Sequence, residues 1–120
     1  MRNQPKYSFF KNSSYAFSGL FDIISSEKSF KIELAIIIPL LIVSVFLNLT
    51  LSEHLLLAAV LFLILVVECI NSSIERAVDL TTTNYHILAK KAKDAASAAV
   101  FLSICLAGLV WISIILNLIF

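Results

Sequence analysis

The chain has 120 residues, of which 60% are hydrophobic and 14% charged, with a mean hydropathy of +0.98. A soluble domain of this size cannot hide that much apolar surface, so the composition excludes a soluble domain and reads as an integral membrane protein. The net charge of +1 is uninformative, two glycines and two prolines leave no room for glycine-rich loops or flexible linkers, and the two cysteines make no metal-ligand spacing and no CxxC motif.

Residues 1–11 are polar and aromatic, read as loosely ordered, and lack the short apolar core of a cleavable signal peptide. Phe10, Phe17, Leu20, Phe21 and Ile24 then recur near helical spacing, and Asn12, Ser13 and Ser14 offer N-cap oxygens. An amphipathic helix over about 12–25 is expected, lying on the cytoplasmic membrane surface or packed on the bundle. Ser25 to Ser29 reads as a break before a first span at about 32–49, which contains Pro39. Glu27 and Glu33 sit near its cytoplasmic end, where a solvated or snorkelling carboxylate is the plain alternative to a functional one.

A second helix is expected over about 55–80. Its apolar run, Leu55 to Val67, leads without a turn signal into Glu68, Asn71, Glu75 and Asp79, spaced three, four and four apart. At about 100° per residue these four fall on one stripe roughly 80° wide. A carboxylate toward the bilayer interior costs roughly 2.5–3.5 kcal/mol even on the lenient insertion scale, so such a stripe marks a function. The connection from Leu80 to Ala92 holds three threonines, Asn84, Tyr85, His86 and the lysines that introduce a third helix over about 95–118. Its Ala95 to Ala99 run is a small-residue surface that permits close helix contact.

All nine basic residues fall in two groups, Arg2, Lys6, Lys11, Lys28 and Lys31, then Arg76, Lys90, Lys91 and Lys93. Lys and Arg are missing from 48–54 and from the C-terminal end, so the N-terminus and second connection are expected in the cytoplasm and the C-terminus outside. Cys69 and Cys105 read as small buried hydrophobes. His54 and His86 are assigned to opposite connections, which argues against a shared metal site.

Walker A, GxGxxG, HExxH and GxSxG patterns are missing. What remains is a set of hard oxygens from Glu27, Glu68, Asn71, Glu75 and Asp79, suited to Mg²⁺ that is shared with phosphates. Lys90, Lys91 and Lys93 lie across the connection to complement phosphate charge. Glu68, the deepest acid, suits a general base. Three readings stay open on the residues alone: a phosphoryl-transfer enzyme acting on a lipid, an oligomeric ion or proton conductor using Glu68, and a structural helper whose acids pair with Arg76 and the lysines.

The run Glu68-Cys-Ile-Asn-Ser-Ser-Ile-Glu-Arg-Ala-Val-Asp79 resembles the signature E-x-x-N-[ST]-x-I-E-x-x-V-D of the prokaryotic diacylglycerol kinase family, which includes the undecaprenol kinases. Tyr85-His86, Ala92-Lys93-Asp94 and Ser97 to Val100 are similar to its second block, and Tyr15, Gly19, Leu20, Glu27, Phe30 and Glu33 to its first. The resemblance implies an all-α homotrimer in the bacterial inner membrane, with three transmembrane helices and a surface helix per subunit and active sites shared between subunits. It implies transfer of the γ-phosphate of ATP, with Mg²⁺, to a lipid hydroxyl in phospholipid recycling, and no nucleic-acid partner. Carried over by residue, Glu68 is the base and Asn71 orients the site. Glu27 and Glu75 hold the metal. Ser8, Tyr15, Asn84, Tyr85, His86, Lys93 and Asp94 surround the nucleotide together with them, and Glu33, Ser97 and Trp111 join Glu68 near the lipid. Ser8 stands where the enterobacterial type has an arginine, and Leu80, Thr82 and Lys90 replace an arginine and two glycines, and Ala96 another glycine. Leu88 to Asp94 looks like the undecaprenol branch, while Ser97 to Val100 and Trp111 favour diacylglycerol.

Overall fold

A computed structural model describes Lys6 and residues 8–120; Arg2, with the rest of 1–5 and Tyr7 from the segment read as loosely ordered, lies outside the described residues. Among the described residues the chain is all-α, with four helices: α1 (Phe9–Ser26), α2 (Lys28–Val45), α3 (Leu51–Thr81) and α4 (Ile87–Ile119).

Each helix begins earlier than the sequence reading placed it, and local capping explains why. Ser8, with extended backbone, caps α1 by accepting from the Lys11 amide at 3.4 Å, so Asn12 to Ser14 lie inside the helix. Glu27 alone separates α1 from α2. Its amide closes α1 on the Ile23 carbonyl at 2.9 Å while its own carbonyl accepts from Lys31 at 3.2 Å. One extended residue (φ −99°, ψ 115°) thus turns the chain with no loop. Helix α2 passes through Pro39 and stops at Val45, not near 49, where Phe46 and Leu47 bond three residues back to Val43 and Ser44.

Thr50 then starts α3 with a capping box. Its hydroxyl accepts from the Glu53 amide at 3.2 Å, and Glu53 Oε1 accepts from the Thr50 amide at 3.1 Å. His54, expected in the connection, therefore lies in the first turn of α3. At the other end, His86 caps α4 by accepting from the Leu88 amide on Nδ1 at 3.1 Å. This shortens the connection to Thr82–His86 and puts the lysines in the first turns of α4. At 1.5 Å per residue, the 31 residues of α3 and 33 of α4 reach about 46 and 50 Å, well beyond a hydrocarbon core of about 30 Å. Both are long and apolar enough to cross a membrane.

Helices α3 and α4 pack along most of their length, with α2 against α3. Val60, Leu61 and Ile64 of α3 meet Ile37 of α2 and Ala107 of α4 in the core. The buried residues of α4, Ala96, Ser103, Ala107 and Ile114, fall seven, four and seven apart, and all but the last are small enough to bring the backbones close. Trp111 Nε1 donates to the Leu57 carbonyl at 3.2 Å and ties the two helices together. Cys105 falls off this stripe and is exposed, and Cys69 is only half-buried, so neither is the buried hydrophobe expected.

The accessible surface is 8914 Å², against about 6,500 Å² for a compact monomer of this mass. The radius of gyration is 17.6 Å, against about 13.6 Å for a compact 120-residue domain. The excess is apolar side chains on the outer faces, such as Ile42, Phe62, Phe101 and Leu109. Such faces suit hydrocarbon or another apolar surface, not water.

Candidate functional site

The acidic stripe of α3 runs from core to surface. Glu68 is 4% exposed and Asn71 9%, Glu75 is half-buried, and Asp79 is exposed. Glu68 continues the same face as Leu57, Leu61 and Ile64, so the periodicity that builds the core also carries a carboxylate into it. A buried carboxylate needs partners. Ser29, in the first turn of α2, donates its hydroxyl to Glu68 Oε1 at 3.0 Å. One turn further along α2, Glu33 interacts directly with Glu68. Glu33 Oε2 and Asn71 Oδ1 are buried with no hydrogen-bond partner among the described residues. Unpaired buried oxygens are costly, and two of them flanking one carboxylate point to a site built for a ligand.

An apolar groove of about 350 Å³ leads away from Glu33 between α2, α3 and α4. Ile36, Leu40, Leu61, Ile64 and Ile104 line it, Gly108 widens it, and Trp111 stands among its walls. Glu33 is the acidic group in its lining, and Glu68, expected beside the lipid, lies behind Glu33 and does not itself line the groove. Ser97 is exposed on α4 and does not line this groove.

A second pocket, of about 280 Å³, opens at the α3–α4 connection and is polar. It gathers Asn84, Tyr85, His86, Lys93 and Asp94 with Asp79. Lys93 Nζ bonds Asp79 Oδ1 at 2.6 Å, and Lys90 bonds Asp94 at 2.6 Å. Ser8, Tyr15, Glu27 and Glu75 do not line this pocket. Ser8 caps α1, and Tyr15 is exposed on α1. Glu27 Oε1 accepts from Arg76 at 3.1 Å, and Glu75 lies within electrostatic reach of Lys93.

Among the described residues no three His, Cys, Asp or Glu side chains gather as a metal cluster. Mg²⁺ needs no such cluster where phosphates supply the remaining oxygens. Glu27, Glu75 and the unpartnered Asn71 Oδ1 are hard oxygen donors of the kind it prefers, so their chemistry would suit such an ion.

Two contributors were missed in the sequence. Ser29 lies in the segment Ser25 to Ser29 that reads as a break before the first span. The signal available was its i, i+4 relation to Glu33, which puts both on one face of α2. Asp22 of α1 carries no such signal, yet it pairs with Arg76 at 2.5 Å across 54 residues.

The family model for prokaryotic diacylglycerol kinase matches residues 14–115. The diacylglycerol kinase of a Helicobacter pylori strain is 37% identical over 111 residues, covering 92% of this chain and 87% of that one. That of Haemophilus influenzae is 33% identical over 100 residues (83% and 85%), and that of Escherichia coli 32% over 101 residues (84% and 83%). The matched region contains the buried carboxylate, both ends of the apolar groove and the polar pocket. The chain belongs to the prokaryotic diacylglycerol kinase family, a family of lipid kinases.

Proposed function

We propose that the chain transfers the γ-phosphoryl group of ATP to the hydroxyl of a membrane lipid, diacylglycerol first, giving phosphatidic acid for phospholipid recycling. The observation that carries this reading is the buried Glu68, held by Ser29 and flanked by Glu33 at the end of an apolar groove. A lipid lying in that groove would bring its hydroxyl to the Glu33 end, beside Glu68. The carboxylate accepts the hydroxyl proton as the oxygen attacks the γ-phosphorus, and ADP leaves with the electrons of the broken bond. Ser29 keeps the carboxylate oriented, and Asn71 supplies an unused oxygen beside it.

Lys93 and Lys90 are placed to exchange their present partners, Asp79 and Asp94, for phosphate oxygens. Glu27 and Glu75 would hold Mg²⁺, which would supply positive charge against the charge that develops on the phosphates. Asn84, Tyr85 and His86 form the wall against which the nucleotide rests.

The same reading makes α2, α3 and α4 transmembrane in the bacterial inner membrane, with α1 on the cytoplasmic surface. It is supported by the charge pattern, since Lys and Arg are missing between Lys31 and Arg76 and after Lys93. A homotrimer is supported by the unusually large apolar surface. It is supported too by the division of the nucleotide candidates between α1 and the α3–α4 connection, which a neighbouring subunit would complete.

The decisive experiment presents diacylglycerol and undecaprenol separately, in lipid bilayers with ATP and Mg²⁺, and compares kcat/KM. Preference for diacylglycerol is expected. Preference for undecaprenol reassigns the substrate within the family. Transfer to neither lipid, with Glu68-dependent ion flux in proteoliposomes, overturns the kinase reading.

A further inference from the structure

We infer that Arg76 is a positioning residue: it holds the Glu27 carboxylate in place for the nucleotide-bound metal and fastens α1 to α3 beside it. The inference rests on the kinase reading above and deepens it at one residue.

Arg76 follows Glu75 directly, and one step along a helix is about 100° around its axis. That rotation takes the side chain off the buried stripe and aims it at the α1–α2 junction. There its guanidinium meets three acceptors. Nη1 donates to Asp22 Oδ2 at 2.5 Å, and Nη2 donates to Ser26 Oγ and to Glu27 Oε1, both at 3.1 Å. Asp22 and Ser26 are one turn apart on α1, and the Ser26 hydroxyl is itself directed, donating to the Asp22 carbonyl at 2.6 Å. The whole cluster is therefore oriented, not merely charge-balanced.

Glu27 needs such a partner. It is the single residue between two helices and makes no side-chain capping bond. Arg76 is its side-chain partner among the described residues, and it engages Oε1 alone. A long carboxylate fixed through one oxygen presents the other without the ordering cost that a free side chain carries. Lysine is a point charge and cannot span Asp22 and Glu27 as a planar fork does. Through Arg76, moreover, the α3 segment that carries Glu75 is bonded to the residue that carries Glu27, so the two acids keep a fixed relation.

The test compares Arg76→Lys, Arg76→Ala and Asp22→Asn in the full-length protein reconstituted in bilayers. Binding of Mn²⁺ with a non-hydrolysable ATP analogue is read by electron paramagnetic resonance, alongside the Mg²⁺ dependence of lipid phosphorylation. Both Arg76 variants are expected to weaken Mn²⁺·nucleotide binding by about tenfold or more, as loss of an outer partner of a metal ligand does. The KM for lipid should stay unchanged. Asp22→Asn, which loosens α1 but leaves the Arg76–Glu27 contact, should lower thermal stability with little effect on binding. Arg76→Lys keeps charge and stem, so it stands in should Arg76→Ala fail to fold.

Wild-type binding by Arg76→Lys overturns the inference, as does an Asp22→Asn defect equal to that of the Arg76 variants, because Arg76 is then a tether only. If the wild type binds Mn²⁺·nucleotide but phosphorylates no lipid, the kinase reading fails while the binding shift still judges Arg76. If the wild type binds none, both fall.

Discussion

Ser29 reaches across from the first turn of α2 to donate to Glu68 on α3, a 3.0 Å hydrogen bond spanning 39 positions of sequence. It fixes one oxygen of a carboxylate that is buried on the core face of its own helix beside Glu33. The orientation of the proposed base is therefore set by a hydroxyl that itself makes no contact with phosphate in the reading above. Replacing Ser29 by Ala should lower kcat about tenfold, the size of one hydrogen bond to a charged group. The KM for ATP should not move, because the pocket proposed for the nucleotide lies at the α3–α4 connection. Steady-state kinetics with each substrate varied in turn checks this, and a change confined to the KM for ATP would contradict it.

Replacing Glu68 by Gln preserves the shape and the Ser29 contact but removes the proton acceptor. The fold should persist, judged by helical circular dichroism and oligomer size, while phosphate transfer is abolished. Activity retained within about tenfold of wild type would remove Glu68 as the base, since general-base catalysis is worth about 10²–10⁴-fold.

Glu75 lies on the same stripe, two turns further toward the connection and half-buried. Glu75→Gln should raise the Mg²⁺ concentration needed for half-maximal activity, with partial recovery at high Mg²⁺. An unchanged magnesium titration would count against a metal role and leave Glu75 as a local counter-charge to Lys93.

The acidic stripe of α3 was legible because a single helical period carries both the apolar core and the acids, and periodicity is read within one segment. The polar connection was legible for a similar reason, since its threonines, Asn84 and lysines cluster in the chain. What escaped notice were relations between segments. Ser29 finds its partner only when α2 lies against α3, and Asp22 finds Arg76 only when α1 folds back at Glu27. The helix starts differ from expectation for another reason: Ser8, Thr50 and His86 cap them, and each cap lies before the apolar pattern begins. Thr50 with Glu53 is a capping box in plain sequence, passed over because the apolar run from Leu55 dominates the segment.

That cap offers a test of the fold separate from the chemistry. Thr50→Ala removes the hydroxyl that accepts from the Glu53 amide, at the end of α3 opposite the connection. A loss of about 1 kcal/mol in stability is expected, typical for an N-cap. Phosphorylation rates below the melting transition should match wild type. A large fall in activity at unchanged stability would mean that this end of α3 takes part in the reaction.

The apolar groove makes the sharpest distinction between a lipid site and a fortuitous gap in packing. Gly108 lines it, and a Cβ added there meets nothing within 4 Å. Gly108→Ala should therefore be accommodated with no strain and little change in kinetics. Gly108→Leu adds three further carbons, in open space beside Ile104 and Trp111, and these should occupy part of the groove. If acyl chains lie there, the KM for a long-chain diacylglycerol rises while the KM for ATP holds, and a short-chain analogue is affected less. If the groove is only a gap, the added side chain fills it and gains packing contacts that stabilise the protein, without changing either KM. Thermal stability and the two KM values measured on the same variant thus point in opposite directions under the two readings.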